Sequence, residues 1–394
     1  MEDHLKFVFL ASRICRQSLG DNSTKLPAIW NAVGVCMEKI IDQEITYDKA
    51  FHYHCLKNCL RQLLEYNHVK DAFLYVDVSC DLILHKAGLT TYQTQMSAPY
   101  QNLWEPFRKS LERNCFDDEE ESVSYVKGLL EKGRPVIVAV DSFFLPYRNT
   151  YQKYHGSHAI ILTDYRDNHY QLIDWYEPHF YKGFLEEELL RKARGSKNQW
   201  DNNPFSGQEI KRATYLLHMF TKEYDSEQVF LYGVMQIYQA FYKKRVSYTN
   251  GNIFYGLDAF IELAKIVPDL LADSPAGKEK CRKLHNDIFI LYIARKLQAF
   301  YFQQYLMTNR KGDGEKIEIG NTEKINLLTY LQLLLSDYEK VLFLIMKHSV
   351  KWSKDNVTNL EIGFDSIRRK EESYGKSLME LYECRKGDCN EISI

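Results

Sequence analysis

One stretch constrains the fold of this chain more than any other: Gly156-Ser157-His158-Ala159-Ile160-Ile161-Leu162-Thr163-Asp164-Tyr165, answered by Gln171-Leu172-Ile173-Asp174. Two apolar runs separated by the polar turn Arg166–His169 read as an antiparallel hairpin. With the strands paired so that facing residue numbers sum to 334, His158 faces Tyr176. Asp174 is then the diagonal neighbour of His158 on the same face, within side-chain reach. A slip of one residue would put the two on opposite faces of the sheet. An imidazole beside a carboxylate is two-thirds of a catalytic triad. The plainer alternative is a strand-end histidine with its bonds satisfied and an aspartate serving a turn.

Composition limits what the rest can be. The chain has 394 residues, room for two or three domains. A net charge of −2 argues against a general nucleic-acid binder. No apolar run approaches a membrane span, and the apolar stretch Phe7–Ala11 is too short for a secretory leader, so a cytoplasmic protein is expected. The nine cysteines are odd in number and scattered, unlike a disulfide framework. Cys384 and Cys389 have no second Cys/His pair near them, and a structural zinc needs four ligands, so no metal site is expected.

Along the chain, residues 1–48 read as a helical extension broken near Asp21–Pro27. A second helix begins near Cys55, with Leu56, Leu60, Leu63 and Leu64 as its apolar stripe. A thiol in the first helical turn lies in the positive end of the helix dipole, which favours thiolate. The alternative is a small buried residue. Cys59 falls beside the leucine stripe and reads as core. His52 and His54 adjoin Cys55 in sequence, and chain neighbours rarely face each other, so neither is the expected base.

Val136–Asp141 reads as a buried strand. The loop 143–156 that follows is crowded with Tyr147, Tyr151, Tyr154 and His155, and its place beside the His158 strand suggests the rim of a cleft. Asp141, Tyr147 and Tyr154 are the candidate substrate-binding residues, although Asp141 serves equally well as a structural cap. Beyond residue 205 the pattern is helical: Ser226–Tyr242, Phe254–Ile266, Gly277–Phe302, Thr322–His348 and Leu360–Cys384 carry helical periodicity, and no motif there points to chemistry. The expected division is therefore a helical extension (1–48), a catalytic domain (49–200) and a helical region (205–394).

The order Cys55, His158, Asp174 is that of a papain-like cysteine-protease fold of the α+β class, a helix laid on an antiparallel sheet. In that chemistry the His withdraws and returns a proton, and the carboxylate fixes its tautomer. The run Val140–Tyr147, then Tyr151, Tyr154-His155 and Gly156–Ile161, resembles the N-terminal domain of butirosin biosynthesis protein H. His54-Cys55 followed by Leu60, Leu63-Leu64 and Tyr66 looks like that family's nucleophile helix. The resemblance covers about residues 50–185. It implies a papain-like enzyme that moves an acyl group from a carrier-protein thioester to an amine. Cys55 would be the acyl acceptor, His158 the base and Asp174 the orienting residue. The implied partners are an acyl or peptidyl carrier protein, whose phosphopantetheine arm holds the acyl group, and a small amine. No bound cofactor is implied. Lys49 stands where papain-like peptidases carry an oxyanion-hole glutamine, which leaves the second oxyanion donor unassigned. A hydrolase of the same fold (thioesterase or peptidase) and a noncatalytic scaffold remain as alternatives. The C-terminal helices could cap the cleft, bind the carrier or form a homodimer.

Overall fold

The computed structural model describes residues 54–86, 92–96, 103, 105–176, 179–197, 210–218, 224–243, 253–271, 277–308 and 320–386. The expected extension 1–48 and Lys49 lie outside these residues, as do residues 198–209 around the expected division. Asp48–Ile394 forms one compact unit.

The first described helix, α1 (Cys55–Tyr66), starts where expected, because His54 is an extended N-cap whose Nδ1 accepts from the Lys57 amide at 3.5 Å. Asn67 ends it by turning both its backbone N–H and its side-chain Nδ2 onto the Leu63 carbonyl. The stripe Leu56, Leu60, Leu63 and Leu64 is buried, each side chain worth roughly 1.5–3 kcal/mol of transfer free energy. Cys59 is buried with it, its thiol 3.5 Å from the Ala159 carbonyl.

Next come a small hairpin, β1 (Leu82–Lys86) and β2 (Tyr92–Met96), a short helix α2 (Glu105–Ser110), strand β3 (Leu111–Asn114) and helix α3 (Glu119–Leu130). Asp118 caps α3, with Glu119, Glu120 and Glu121 in its first turn complementing the helix dipole. The acidic run therefore starts a helix. Then follow β4 (Val136–Asp141), β5 (Ser157–Arg166), β6 (His169–Tyr176), β7 (His179–Glu186), α4 (Glu187–Gly195) and β8 (Thr214–Leu217).

These strands build a six-stranded antiparallel sheet in the order β3-β8-β4-β5-β6-β7. All six residues of β4 are buried. Val136, Val138 and Val140 pack with Ile160, Leu162 and Leu172 against Val126 and Leu129 of α3 and Leu190 and Ala193 of α4. On the hairpin, Asp167 and Asn168 both take positive φ, the two-residue turn that matches the twist of the flanking strands. Arg166 pairs with His169, and a bulge between Leu162 and Asp164 shifts the ladder by one residue. Beyond the bulge Leu162 pairs with Leu172 and Ile161 with Ile173, the register that sets Asp174 on the face of His158. α1 packs against β4, β5 and β6.

The expected division at 200–205 does not follow the sheet. β8 comes from beyond it and hydrogen-bonds between β3 and β4, while β9 (Ile253–Tyr255) completes a three-stranded sheet with β1 and β2. Four-residue strands such as Thr214–Leu217 carry too few residues to establish a period. The remaining helices, α5 (Ser226–Phe241), α6 (Gly256–Leu270), α7 (Gly277–Thr308), α8 (Gly320–Val350) and α9 (Lys354–Lys386), follow the five expected helical spans. The fold is α+β with antiparallel sheets and a helical C-terminal region. Among the described residues, no helix is long and apolar enough to cross a membrane.

Candidate active site

The sheet alternates its side chains between two faces, so His158 and Asp174 continue the face that Ile160 and Leu172 occupy two residues away. His158 sits across from Val140 at the start of β5, and its Nε2 lies 2.7 Å from Asp174 Oδ1. Both side chains are buried. Cys55 is half-buried at the first position of α1, where the His158 imidazole lowers its thiol pKa.

The electrostatics of the three groups favour charge separation. Burial opposes ionisation of the Cys55 thiol, but the His158 charge, its hydrogen bond and the Ala159 backbone outweigh it, and the thiol pKa falls below its ordinary value. Burial likewise opposes an imidazolium at His158, as does Arg148. Asp174 and Cys55 overcome both, so the imidazole pKa is raised. Asp174 is held below the usual carboxylate range by His158 and Arg148 in spite of its burial. A lowered thiol pKa and a raised imidazole pKa both move the two groups toward a thiolate–imidazolium pair. Cys59 differs: burial first, then the neighbouring Cys55 and Asp174 charges, push its thiol well above its ordinary value. His54 is no competitor as base, because burial, Lys57 and His158 push its pKa down to about 3.

The substrate-binding candidates fall elsewhere. Asp141 is fully buried and its carboxylate takes four donors, the amides of Phe143 and Gly156, His155 Nδ1 and Ser196 Oγ. Four is the acceptor capacity of a carboxylate, so Asp141 is the structural cap and has no bond left for an amine. Its role is to tie the end of β4 to the start of β5 and so fix where His158 begins. Gly156 belongs to this knot: a Cβ there would approach Ser142 Oγ to 3.1 Å. Tyr147 is bonded within the chain as well. Its ring stacks on Tyr181 at 3.9 Å and its hydroxyl donates to Asp174 Oδ2 at 3.1 Å. Tyr154 is 70% exposed on the loop and makes none of these contacts.

Sequence reasoning missed Arg148. Its Nη1 lies 3.0 Å from Asp174 Oδ2 and 2.9 Å from His158 Nε2. A guanidinium only donates, so Nε2 cannot satisfy both neighbours at once. Protonated, it donates to Asp174 and faces Arg148 unfavourably. Unprotonated, it accepts from Arg148. Arg148 thus opposes the imidazolium while bracing the carboxylate. The signal available was a cation inside an aromatic loop next to the His strand, which by itself names no partner.

Half-buried thiol, imidazole and carboxylate in this order, on a helix start and two adjacent strands, can carry out nucleophilic acyl chemistry. No curated protein matches the chain. Residues 54–175, from the cap of α1 to the residue after Asp174, match the family described as Butirosin biosynthesis protein H, N-terminal, the same family that the residues quoted above resemble.

Proposed function

We propose that the chain is a cysteine-dependent acyltransferase of natural-product biosynthesis. It takes an acyl or aminoacyl group from a carrier-protein thioester onto Cys55 and passes it to an amine. The observation that carries this reading is the 2.7 Å contact of His158 Nε2 with Asp174 Oδ1, beside a Cys55 thiol whose pKa the same imidazole lowers. The match over residues 54–175 supports the acyl-transfer class.

Each step assigns a proton. The Cys55 thiolate attacks the thioester carbonyl carbon, and the carbonyl electrons move to oxygen. The Cys55 backbone N–H, one of the helix-start amides without an intrahelical acceptor, is placed to hold that oxyanion. Collapse breaks the bond to the pantetheine sulfur, which takes the His158 proton and leaves as thiol. Neutral His158 then removes a proton from the amine as its nitrogen attacks acyl-Cys55. The second collapse forms the amide and returns the Cys55 sulfur as thiolate beside imidazolium. Asp174 holds Nε2–H throughout.

The test is intact-mass spectrometry of the protein with an acylated carrier, followed by peptide mapping. The expected result is an adduct of the acyl mass on the peptide bearing Cys55, discharged as amide when a competent amine is added. Discharge as free acid with every amine tried would assign the hydrolase instead. No adduct, with Cys55 also inert to iodoacetamide, would leave only a noncatalytic scaffold.

Arg148 gives this reading a pH signature. The thiolate–imidazolium form requires Cys55 to ionise at a lower pH than His158 loses its proton, and both shifts run in that direction. Arg148 depresses the His158 pKa, so Arg148→Met raises it further and moves the alkaline limb of the acylation profile to higher pH. The acid limb stays in place, since Cys55 is governed by burial, His158, Ala159 and Asp174. An alkaline limb that moves down, or an NMR titration in which the His158 pKa falls, would contradict this placement. Tyr147→Phe removes one of the two donors to Asp174 Oδ2 and costs about 1 kcal/mol, a rate loss below about tenfold.

A further inference from the structure

On the far side of α4 from Asp141's knot of hydrogen bonds lies a second group of polar side chains that acyl transfer does not use. Arg194 is 4% exposed, and its Nη2 donates to the Arg212 carbonyl at 2.8 Å and to Thr214 Oγ1 at 2.7 Å. Both acceptors are neutral. Its Nε has no partner, and no carboxylate pairs with it among the described residues. A buried charge without a counter-charge costs several kcal/mol, and burial pulls the Arg194 pKa down to about 10, with the Arg212 charge adding to it.

Arg194 is not alone. It lines a small recess with Arg212, Arg191, Glu119 and Ser122, together with the apolar Val123 and Leu190. The Ser122 hydroxyl, on the first turn of α3, is buried without a partner, and so is Arg212 Nε. Arg212 sits in a turn where both it and Lys211 hold positive φ, a conformation that costs non-glycine residues of order 1 kcal/mol or more each. A Cβ on Gly195 would come within 3.2 Å of Arg212 Nη2, so the guanidinium lies close over the end of α4.

The charges around the recess divide unequally. Arg191 is neutralised by Glu119, Glu120 and Glu187. Glu119 also reaches Arg212, at 3.4 Å, but its side chain is 42% exposed and can turn outward. Arg194 is left with a full positive charge, and beside it stand two further unused donors. Unpartnered donors from three side chains on one recess, two of them guanidinium groups, match a small tetrahedral oxyanion rather than a carboxylate side chain or a cation.

We propose that Ser122, Arg194 and Arg212 form a binding site for a phosphate group, either inorganic phosphate or the terminal phosphate of a monoester. The site is built from α3, α4 and the turn before β8, and its occupant would complete the bonds that the fold leaves open there. It stands independently of the acyl-transfer reading. It also ties three segments from both sides of residue 200 into one structure.

The test uses the full chain in chloride buffer at constant ionic strength, titrated with inorganic phosphate or with O-phosphoethanolamine. Thermal unfolding and phosphorus-NMR line width are followed. A saturable rise in the unfolding midpoint with line broadening is expected. A response to both probes identifies a terminal phosphate as sufficient, and a response to inorganic phosphate alone identifies the free ion as the occupant. Arg194→Met is expected to weaken binding by at least about tenfold, the worth of a charged hydrogen bond. Should that variant fail to fold, Ser122→Ala, which removes one hydroxyl, is expected to weaken it by about threefold or more. No saturable response to either probe, or an unchanged response in the variants that fold, would overturn the proposal and leave a water-filled recess.

Discussion

Replacing Cys55 by alanine is expected to lower acyl transfer by at least about 10⁴-fold and to leave the fold intact. Removing the nucleophile from a cooperating group removes nearly all that the group contributes, because the imidazole and carboxylate then have nothing to activate. Serine should not rescue the reaction. His158 and the Ala159 backbone draw the thiol pKa below its ordinary value, whereas an alkyl hydroxyl ionises far less readily and would need a separate base in the transition state. The fold should tolerate either change. Cys55 is half-buried at the end of α1, and the helix is anchored by Leu56, Leu60, Leu63 and Leu64. Unfolding midpoints equivalent to within about 0.5 kcal/mol are therefore expected. Alkylation supplies an independent check. Near neutral pH, iodoacetamide should label Cys55 ahead of the exposed Cys115, and should spare Cys59, whose thiol is buried and raised. Full activity in Cys55→Ala would sink the proposed mechanism outright, whatever the geometry of His158 and Asp174.

How much of this was legible in the sequence depends on the range of the interaction concerned. Local patterns carried well. The start of α1, the leucine stripe, the buried run Val136–Asp141 and the two-residue turn at Asp167-Asn168 are each set by neighbours a few residues away. The hairpin register was legible at its site end, although the bulge after Leu162 is visible only in the structure. What failed was the choice among polar residues in one loop. Asp141 and Tyr147 look like cleft residues because they are polar, aromatic or at a strand end. The structure spends Asp141 on four donors from the chain itself and Tyr147 on Asp174. Arg148 was invisible for the same reason in reverse. Its two partners lie on different strands, 10 and 26 residues away. A sequence shows which residues could bond, and only the fold decides which acceptors are already used. The place of β8 in the sheet was illegible for a similar reason, since a four-residue strand joining the middle of a sheet leaves almost no periodic trace.

The helical half carries no recognisable motif, yet one of its residues is expected to control the stability of the whole unit. Arg295 of α7 and Glu371 of α9 are both fully buried, with Nε 2.9 Å and Nη2 3.0 Å from the carboxylate oxygens. Tyr338 of α8 and Tyr242, just past α5, also donate to that carboxylate. The guanidinium stands over the Phe241 ring at 4.3 Å. Arg295 further holds Gln298, whose amide nitrogen donates to the Val78 carbonyl at 3.0 Å. One residue on, the Ser79 carbonyl accepts from Lys57 of α1 at 3.4 Å. The ion pair thus joins four helical segments and, through the chain at 78–79, reaches the helix that carries Cys55. Glu371→Met leaves Arg295 buried and uncompensated, at an expected cost of about 3–5 kcal/mol, read as a lower denaturant midpoint. Replacing both partners by methionine should recover most of that loss, because the penalty comes from the orphaned charge and two apolar chains of similar length remove it. The double-mutant cycle separates this account from simple loss of packing: packing loss would make the double variant worse than either single one, and that outcome would show the buried pair to be incidental.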